Sequence, residues 1–200
     1  MLTKQLLQSW IEQYLAGTEY ELVTLDLSPT NEILVEVDRL AGVDVDFCAE
    51  LNRYLVEKLD NPSPALPSRE SVDYSLEVGS VSLTDPFKTK MQFEKNLGHT
   101  VEVAFGNQCA MVHTAPLNEQ ATDASALPTN IKFAGTPLNK GEKLVKYKGL
   151  LVSVDEETFS VDIEEKVKVV ESQKSKVKRQ IVTHTWRYDE PKYVKYDLKF

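Results

Sequence analysis

The residues that could carry out chemistry are few and lie far apart in the chain. The three histidines, His99, His113 and His184, have no partner at the spacing of metal ligands, and each is better explained as a surface or structural residue. The two cysteines, Cys48 and Cys109, do not form a CxxC pair, and we interpret both as thiols in a reducing compartment. The sequence therefore predicts no metal site.

Two acidic pairs, Asp44/Asp46 and Glu164/Glu165, have the residue types needed for general acid–base catalysis. We interpret the first pair as the start of a helix, where a carboxylate accepts hydrogen bonds from free backbone N–H groups. We interpret the second pair as a solvated strand edge. Residues 139–143 (NKGEK) lack the first glycine and the Lys-Ser/Thr ending of a phosphate-binding loop, and no GxSxG motif is present. The sequence thus predicts no catalytic residue and no cofactor.

Charge is distributed unevenly over the 200 residues, whose formal net charge is −8. Residues 1–100 carry 8 Lys and Arg against 17 Asp and Glu, whereas residues 140–200 carry 14 against 11. An acidic front half repels phosphate and attracts basic partners, and a mildly basic back half is compatible with nucleic acid nearby. The alternative, that both halves are solvated surfaces without a partner, stays open from charge alone.

Composition is that of an ordinary globular protein, with 42% hydrophobic and 27% charged residues. This balance excludes collagen-like, disulfide-framework and wholly disordered chains. No apolar run approaches the roughly 20 residues needed to cross a bilayer, and the N-terminal segment MLTKQLLQSW lacks the apolar region of a signal peptide. We expect a cytoplasmic protein without a membrane partner.

Hydrophobic periodicity predicts an N-terminal α+β domain in the order helix–strand–strand–helix–strand. That order gives a three-stranded sheet with two helices on one face. In the first strand, alternation assigns Val23, Leu25 and Leu27 to the buried face. The elements are a helix over 2–16, a hairpin of strands over 20–27 and 32–38, a helix after Asp44, and a strand over 72–78.

After a connector over 79–88 and a short helix near 89–97, the pattern changes to strands alone, which favours a small closed barrel. A stretch without clear periodicity, 107–143, interrupts the strands, as a functional or mobile loop would. We therefore expect an N-terminal α+β domain over 1–86 and an all-β domain over 87–200 with an insert at 107–143. The predicted strands are 100–105, 145–154, 159–170, 180–186 and 193–200.

A predicted loop over 171–179 carries a cluster of positive charge. Lys174, Lys176, Lys178 and Arg179 lie in it, and they could neutralise RNA phosphates without reading the base sequence. The alternative, a solvated loop without a partner, has about equal weight.

The segment Tyr74–Phe87 (YSLEVGSVSLTDPF) resembles the signature of the bacterial ribosome maturation factor RimP family. In that family a strand ending in Leu-Glu-Val runs into Ser-Ser-Pro-Gly-Leu, then two variable residues and Pro. The matching residues here are Leu76, Glu77, Val78, Ser80, Leu83 and Pro86. The family's first Ser, its Pro and its Gly are replaced by Gly79, Val81 and Ser82.

Further matches to the family follow in order along nearly the whole chain, although the insert is longer than in the family. Their order, rather than any single match, makes the resemblance specific, and the chain is most similar to Bacteroidetes-type members. The matches are Gly42-Val43, Asp46, Cys48 and Arg53; Phe93, Gly98, Val101 and Val103; Lys148-Gly149 and Leu151; and the ending 188–196.

The resemblance implies an α+β domain followed by an Sm-like small barrel. It also implies a monomeric, non-catalytic factor that binds the immature small ribosomal subunit and helps it to mature, through a basic small-subunit ribosomal protein and rRNA. We expect contacts with the ribosomal protein at Glu77, Ser80, Leu83, Asp85 and Pro86. We expect rRNA contacts at Lys174, Lys176, Lys178 and Arg179.

Two other function classes stay open. An Sm-type RNA-binding module acting outside ribosome assembly would bind naked RNA tightly and with a steep salt dependence. An enzyme with a composite site would have a deep pocket with perturbed titratable groups. Co-sedimentation with free small subunits, compared with mature ribosomes, separates the assembly factor from both.

Overall fold

Alternation of apolar and polar residues builds two sheets, each of which packs one face against a hydrophobic cluster. The computed structural model describes residues 2–60, 73–106, 143–171 and 174–198, with the backbone alone for 166–171 and 174–178. The chain divides into two compact units, Met1–Ser82 and Leu83–Phe200. Each unit has its own hydrophobic cluster.

The first unit confirms the predicted three-stranded sheet and two helices. Strand β1 pairs antiparallel with β2, and β2 pairs parallel with β3, so the strand order is β1-β2-β3. No helix in the described part of the chain is long and apolar enough to span a membrane. The elements are α1 Lys4–Leu15, β1 Glu21–Leu27, β2 Glu32–Asp38, α2 Val45–Asp60 and β3 Ser75–Ser80.

Both helices of the first unit cover the same face of the sheet. Each helix contributes leucine or isoleucine at four-residue steps, so that its apolar side chains lie on one stripe. The strands contribute every second residue. The buried residues are Leu7, Ile11 and Leu15 of α1, Leu51, Leu55 and Leu59 of α2, and Leu25, Ile33, Val35 and Val37 of the sheet.

The sequence assignment of β1 was wrong at one residue. The register of β1 against β2 shifts between Leu22 and Thr24, which is a β-bulge. An extra residue in one strand reverses the face of the side chains before it. Leu22 therefore packs against the hydrophobic cluster in the place where alternation had put Val23.

The second unit consists of a short helix and a five-stranded antiparallel sheet in the order β7-β6-β5-β4-β8. This confirms a β-sheet region after the first unit. Within the described residues no strand pairing joins β7 to β8, so a closed barrel is not found and the Sm-like barrel stays a prediction. The elements are α3 Lys90–Lys95, β4 Thr100–Gly106, β5 Leu144–Val154, β6 Thr158–Glu171, β7 Lys174–Arg187 and β8 Tyr193–Tyr196.

The prediction of a basic loop over 171–179 was wrong. Strands β6 and β7 form one long hairpin whose pairing runs from Thr158 opposite Arg187 to Glu171 opposite Lys174. The lysines of this stretch recur every second residue, which is the period of a strand, but their charge hides the apolar alternation. Two other boundaries also differ, because β3 continues through Gly79 and Ser80, and β8 ends at Tyr196.

We expect Gly149→Ala to lower the free energy of unfolding by about 1–3 kcal/mol, the usual cost of overpacking. A Cβ at Gly149 would lie 2.6 Å from Cγ1 of Val161 and closer still to the carbonyl oxygen of Asp162, so the paired strand would have to move. Gly79 has open space around it, and Gly79→Ala is the control, with a change within about 0.5 kcal/mol. Urea denaturation followed by circular dichroism measures both, and equal effects would contradict this packing.

Candidate functional site

The sheet face opposite α1 and α2 is acidic. Its outward positions include five carboxylates, and none of the three strands contains Lys or Arg. The register places Asp26 beside Leu34 and Leu34 beside Glu77, which makes a row across the sheet. We call this surface the acidic face and define it by Glu21, Asp26, Glu32, Glu36 and Glu77.

The five predicted ribosomal-protein contacts are divided between the two units. Glu77 and Ser80 are exposed residues of β3 in the first unit. Leu83, Asp85 and Pro86 belong to the second unit, where Leu83 is 70% exposed, Pro86 is exposed and Asp85 is half-buried. Their role in binding stays a prediction.

The four predicted rRNA contacts lie on a strand. Lys174, Lys176 and Lys178 belong to β7, and their side chains lie outside the described part of the structure. Arg179 is exposed, and its Nη1 lies 3.4 Å from Oε1 of Glu164. Such a surface ion pair contributes little to stability.

The two carboxylates of the Glu164/Glu165 pair lie on opposite faces of the sheet, because side chains alternate along β6. Oε1 of Glu165 lies 2.9 Å from Nε2 of His184, whose ring stacks on Trp186 with centroids 5.4 Å apart. The interpretation of Glu165 as a solvated edge residue was therefore wrong. The two carboxylates cannot act together on one substrate.

Asp44 precedes α2, as predicted, and its carbonyl oxygen accepts the hydrogen bond of the Cys48 N–H at 3.2 Å. Its carboxylate, however, accepts from the Tyr20 hydroxyl at 3.3 Å and from Nη2 of Arg39 at 3.1 Å. The Tyr20 ring also stacks on Phe47, with centroids 3.5 Å apart. Asp44 therefore links the start of α2 to Tyr20, which precedes β1, and to Arg39, which follows β2.

The thiols and histidines do not form a reactive centre in the part of the chain that can be described. Burial, and to a lesser extent the charge of Asp44, raises the pKa of the Cys48 thiol, which favours the unreactive protonated form. Cys109 and His113 lie outside the described residues. Among the residues that are described, no three His, Cys, Asp or Glu side chains are placed to hold a metal ion.

One charged cluster that the sequence analysis missed surrounds Glu102 on β4. Oε1 of Glu102 accepts hydrogen bonds from the Tyr193 hydroxyl at 2.9 Å and from Nζ of Lys146 at 3.1 Å. Nζ of Lys148 and Nζ of Lys195 each lie 3.9 Å from this carboxylate. The signal in the sequence was the spacing of Lys146 and Lys148, but only strand pairing places Lys195 on the other side of β4.

Two opposing effects set the pKa of Glu102. Burial alone would raise the pKa of this carboxyl group, since only 11% of its side chain is exposed. The hydrogen bonds from Tyr193 and Lys146, with the charges of Lys146 and Lys195, outweigh burial and hold the pKa below its ordinary value. Glu102 is therefore a buried charge that its neighbours stabilise.

Comparison with known proteins places the chain in a family. The model of the RimP N-terminal domain matches residues 10–83. The ribosome maturation factor RimP of Porphyromonas gingivalis strain ATCC 33277 is 33% identical over 127 residues, which cover 64% of this chain and 77% of that protein. The chain belongs to the RimP family.

Two further RimP proteins are similar over shorter stretches. The RimP of Flavobacterium psychrophilum is 32% identical over 111 residues, which cover 54% of this chain and 66% of that protein. The RimP of Christiangramia forsetii is 33% identical over 86 residues, which cover 43% and 51%. The structure also explains the RimP-like Leu-Glu-Val of β3, since Leu76 and Val78 pack against the hydrophobic cluster while Glu77 is exposed.

We expect Glu102→Gln to lower the free energy of unfolding by about 1.5–3 kcal/mol at neutral pH, the range for a hydrogen bond to a charged group. Because the pKa of Glu102 is lower in the folded state, its stabilising effect is complete above the unfolded pKa of about 4.3 and is lost as the pH falls through the folded value. The difference between wild type and variant should therefore shrink below about pH 4.3.

Urea denaturation over a series of pH values measures this difference. Glu164→Gln is the control, because it neutralises an exposed carboxylate of the same unit and should change stability by less than about 0.5 kcal/mol. A Glu102→Gln penalty that did not depend on pH would contradict the assigned charge state.

Proposed function

We propose that this protein is a ribosome maturation factor that binds the immature small ribosomal subunit and promotes its assembly through a basic ribosomal protein. It acts in the cytoplasm as a monomer, by binding and without a catalytic step. The relatives named ribosome maturation factor RimP support the maturation role. The acidic face is the observation that supports a basic protein as the partner.

The acidic face has the properties of a docking surface for a cationic protein. Asp26, Glu32 and Glu77 are exposed, and the strands supply no basic residue of their own; from α1, Nζ of Lys4 lies 3.3 Å from Oδ1 of Asp26. Complementary charge speeds the encounter of two proteins and disfavours wrong partners. The same carboxylates repel phosphate, so the acidic face disfavours contact with bare rRNA. It favours contact with a basic protein.

The strand order of the second unit is compatible with the proposed Sm-like barrel. Its order β7-β6-β5-β4-β8 puts β4, β5, β6 and β7 side by side in sequence order and the last strand, β8, beside the first, β4. Pairing of β7 with β8 would close such a sheet into an Sm-like barrel. On this unit we propose rRNA contacts at Lys174, Lys176, Lys178 and Arg179.

We propose that the contact with the ribosomal protein includes Glu77, Ser80, Leu83, Asp85 and Pro86. Binding would favour one conformation of the immature particle, because the factor has a higher affinity for that conformation than for the others. The factor would leave when later proteins change the surface to which it binds. An Sm-type RNA-binding module acting outside assembly is the second candidate, favoured by the lysines of the second unit.

We expect Glu32→Lys with Glu77→Lys to weaken binding to immature small subunits at least tenfold at low salt, because the reversed charges repel a basic partner. Co-sedimentation of the purified variant with immature subunits measures this loss. The matched control is Glu50→Lys with Glu57→Lys, which makes the same charge change at exposed positions of α2. Equal losses in the two variants would remove the acidic face from the proposal.

We expect a strain that lacks the protein to accumulate free, immature small subunits in a sucrose gradient. Re-expression of the wild-type chain should restore the profile, and the Glu32→Lys, Glu77→Lys variant should restore it poorly. A normal gradient in the deletion strain would overturn the proposed function.

A further inference from the structure

Three lysines and one tyrosine share the outer face of strands β5, β4 and β8. Lys146 and Lys148 lie on β5, while Tyr193 and Lys195 lie on β8. We call this surface the lysine face, defined by these four residues. Resting on the proposed function, we propose that the lysine face binds the phosphate backbone of RNA.

The positive groups of this surface are the ones that reach solvent. The side chains of Lys146, Lys148 and Lys195 are 48%, 58% and 34% exposed. The carboxylates beneath them are covered, since the side chains of Glu102 and Asp197 are 11% and 9% exposed. The three lysines outnumber the two carboxylates, so an approaching ligand meets an excess of positive charge.

The carboxylates fix the lysines in place without using all of their hydrogen-bond donors. Nζ of Lys148 lies 2.6 Å from Oδ1 of Asp197, and Nζ of Lys146 lies 3.1 Å from Oε1 of Glu102. An ammonium group has three donors, so each lysine keeps donors for an oxygen of a ligand. Hydrogen bonds with Tyr193 and Glu102 raise the pKa of Lys146, and the hydrogen bond with Asp197 raises the pKa of Lys148. Both lysines are therefore charged at neutral pH.

The Tyr193 ring lies within cation–π distance of two of the lysines. Nζ of Lys146 is 5.7 Å from the ring centroid and Nζ of Lys195 is 5.5 Å from it. These cation–π contacts limit the freedom of the long side chains, which reduces the entropy that RNA binding would cost.

The spacing of the lysine face suits an extended polyanion. The Cα atoms of Lys146 and Lys148 are about 7 Å apart along β5, and that of Lys195 lies two strand spacings, about 10 Å, across the sheet. The three ammonium groups converge, since each lies within 3.9 Å of the Glu102 carboxylate. Beside β5, Asp162 and Glu164 of β6 lie on the same face of the sheet and bound the lysine face on that side, and Arg179 of β7 pairs with Glu164. The face therefore offers a compact, bounded cluster of cations to adjacent phosphates of one RNA strand.

Fluorescence anisotropy with a fluorescein-labelled RNA hairpin tests the proposal on the full-length protein. We expect Lys146→Gln, Lys148→Gln and Lys195→Gln together to lower RNA affinity at least tenfold at low salt. The slope of log K against log salt should fall by about 2–3, since each lysine lost removes about one phosphate contact. The matched control is Lys4→Gln, Lys58→Gln and Lys90→Gln, which removes the same charge elsewhere. Equal slopes in the two variants would overturn the proposal.

A second variant keeps the test valid if the triple substitution disturbs folding. Glu102→Gln keeps an acceptor oxygen for Lys146 and Tyr193 but removes the negative charge beneath the lysines, so RNA should bind several-fold more tightly, whereas a purely structural role of the cluster predicts no gain. A folded Glu102→Gln protein that binds no more tightly would overturn the proposal. Displacement of the RNA by polyglutamate at equal charge concentration would also overturn it, because the ligand would then be an acidic protein.

The RNA-binding experiment can fail or succeed independently of the experiment that tests the proposed function. The proposal that the lysine face binds RNA is wrong if the lysine variant binds RNA as the wild type does, even when the deletion strain fails to mature its small subunits. The assembly role is wrong if the deletion strain is normal, whatever the affinity for RNA.

Discussion

The acidic face and the lysine face both depend on one constraint, the alternation of side chains along a β-strand whose sheet packs one face against a hydrophobic cluster. In the first unit Val35 is fully buried between Leu34 and Glu36. In the second unit Val101 and Val103 are fully buried, and Glu102 between them lies on the opposite face. Hydrophobic burial fixes the inner residues, and register then sets the outer residues in rows. The charged faces are consequences of how the two cores are packed.

The acidic face of the first unit and the lysine face of the second unit carry opposite charge. The acidic face of the first unit suits a cationic protein and repels phosphate, whereas the lysine face of the second suits phosphate. For the proposed binding to a particle made of RNA and basic proteins, this difference in charge would give specificity, since each face rejects the ligand of the other. Glu102 shows how the lysine face is built, because a covered carboxylate holds the ammonium groups while they stay exposed.

Sequence reasoning performed best where periodicity was long and unbroken. The leucines of α1 and α2 and the alternation of β2 predicted the first unit closely, and the ordered RimP motifs predicted the family. It did less well where one residue or one charge breaks a simple pattern. Because of the bulge after Leu22, Leu22 and not Val23 packs against the hydrophobic cluster. The lysines of β7 were interpreted as a solvated loop, although they belong to a paired strand. Glu165 looked solvated because its contact with His184 comes from the partner strand.

The sequence by itself determined the type and order of the main elements, the acidic balance of the first half and the family, because these depend on local spacing and composition. Tertiary structure alone decided which charges meet. Glu77 and Asp26 lie in one row on either side of Leu34, and Lys195 and Lys146 lie on either side of β4 near Glu102. Both arrangements depend on pairings between residues that are far apart in the chain. Such pairings follow from the registers that bury the most apolar surface, and no local pattern in the sequence encodes them.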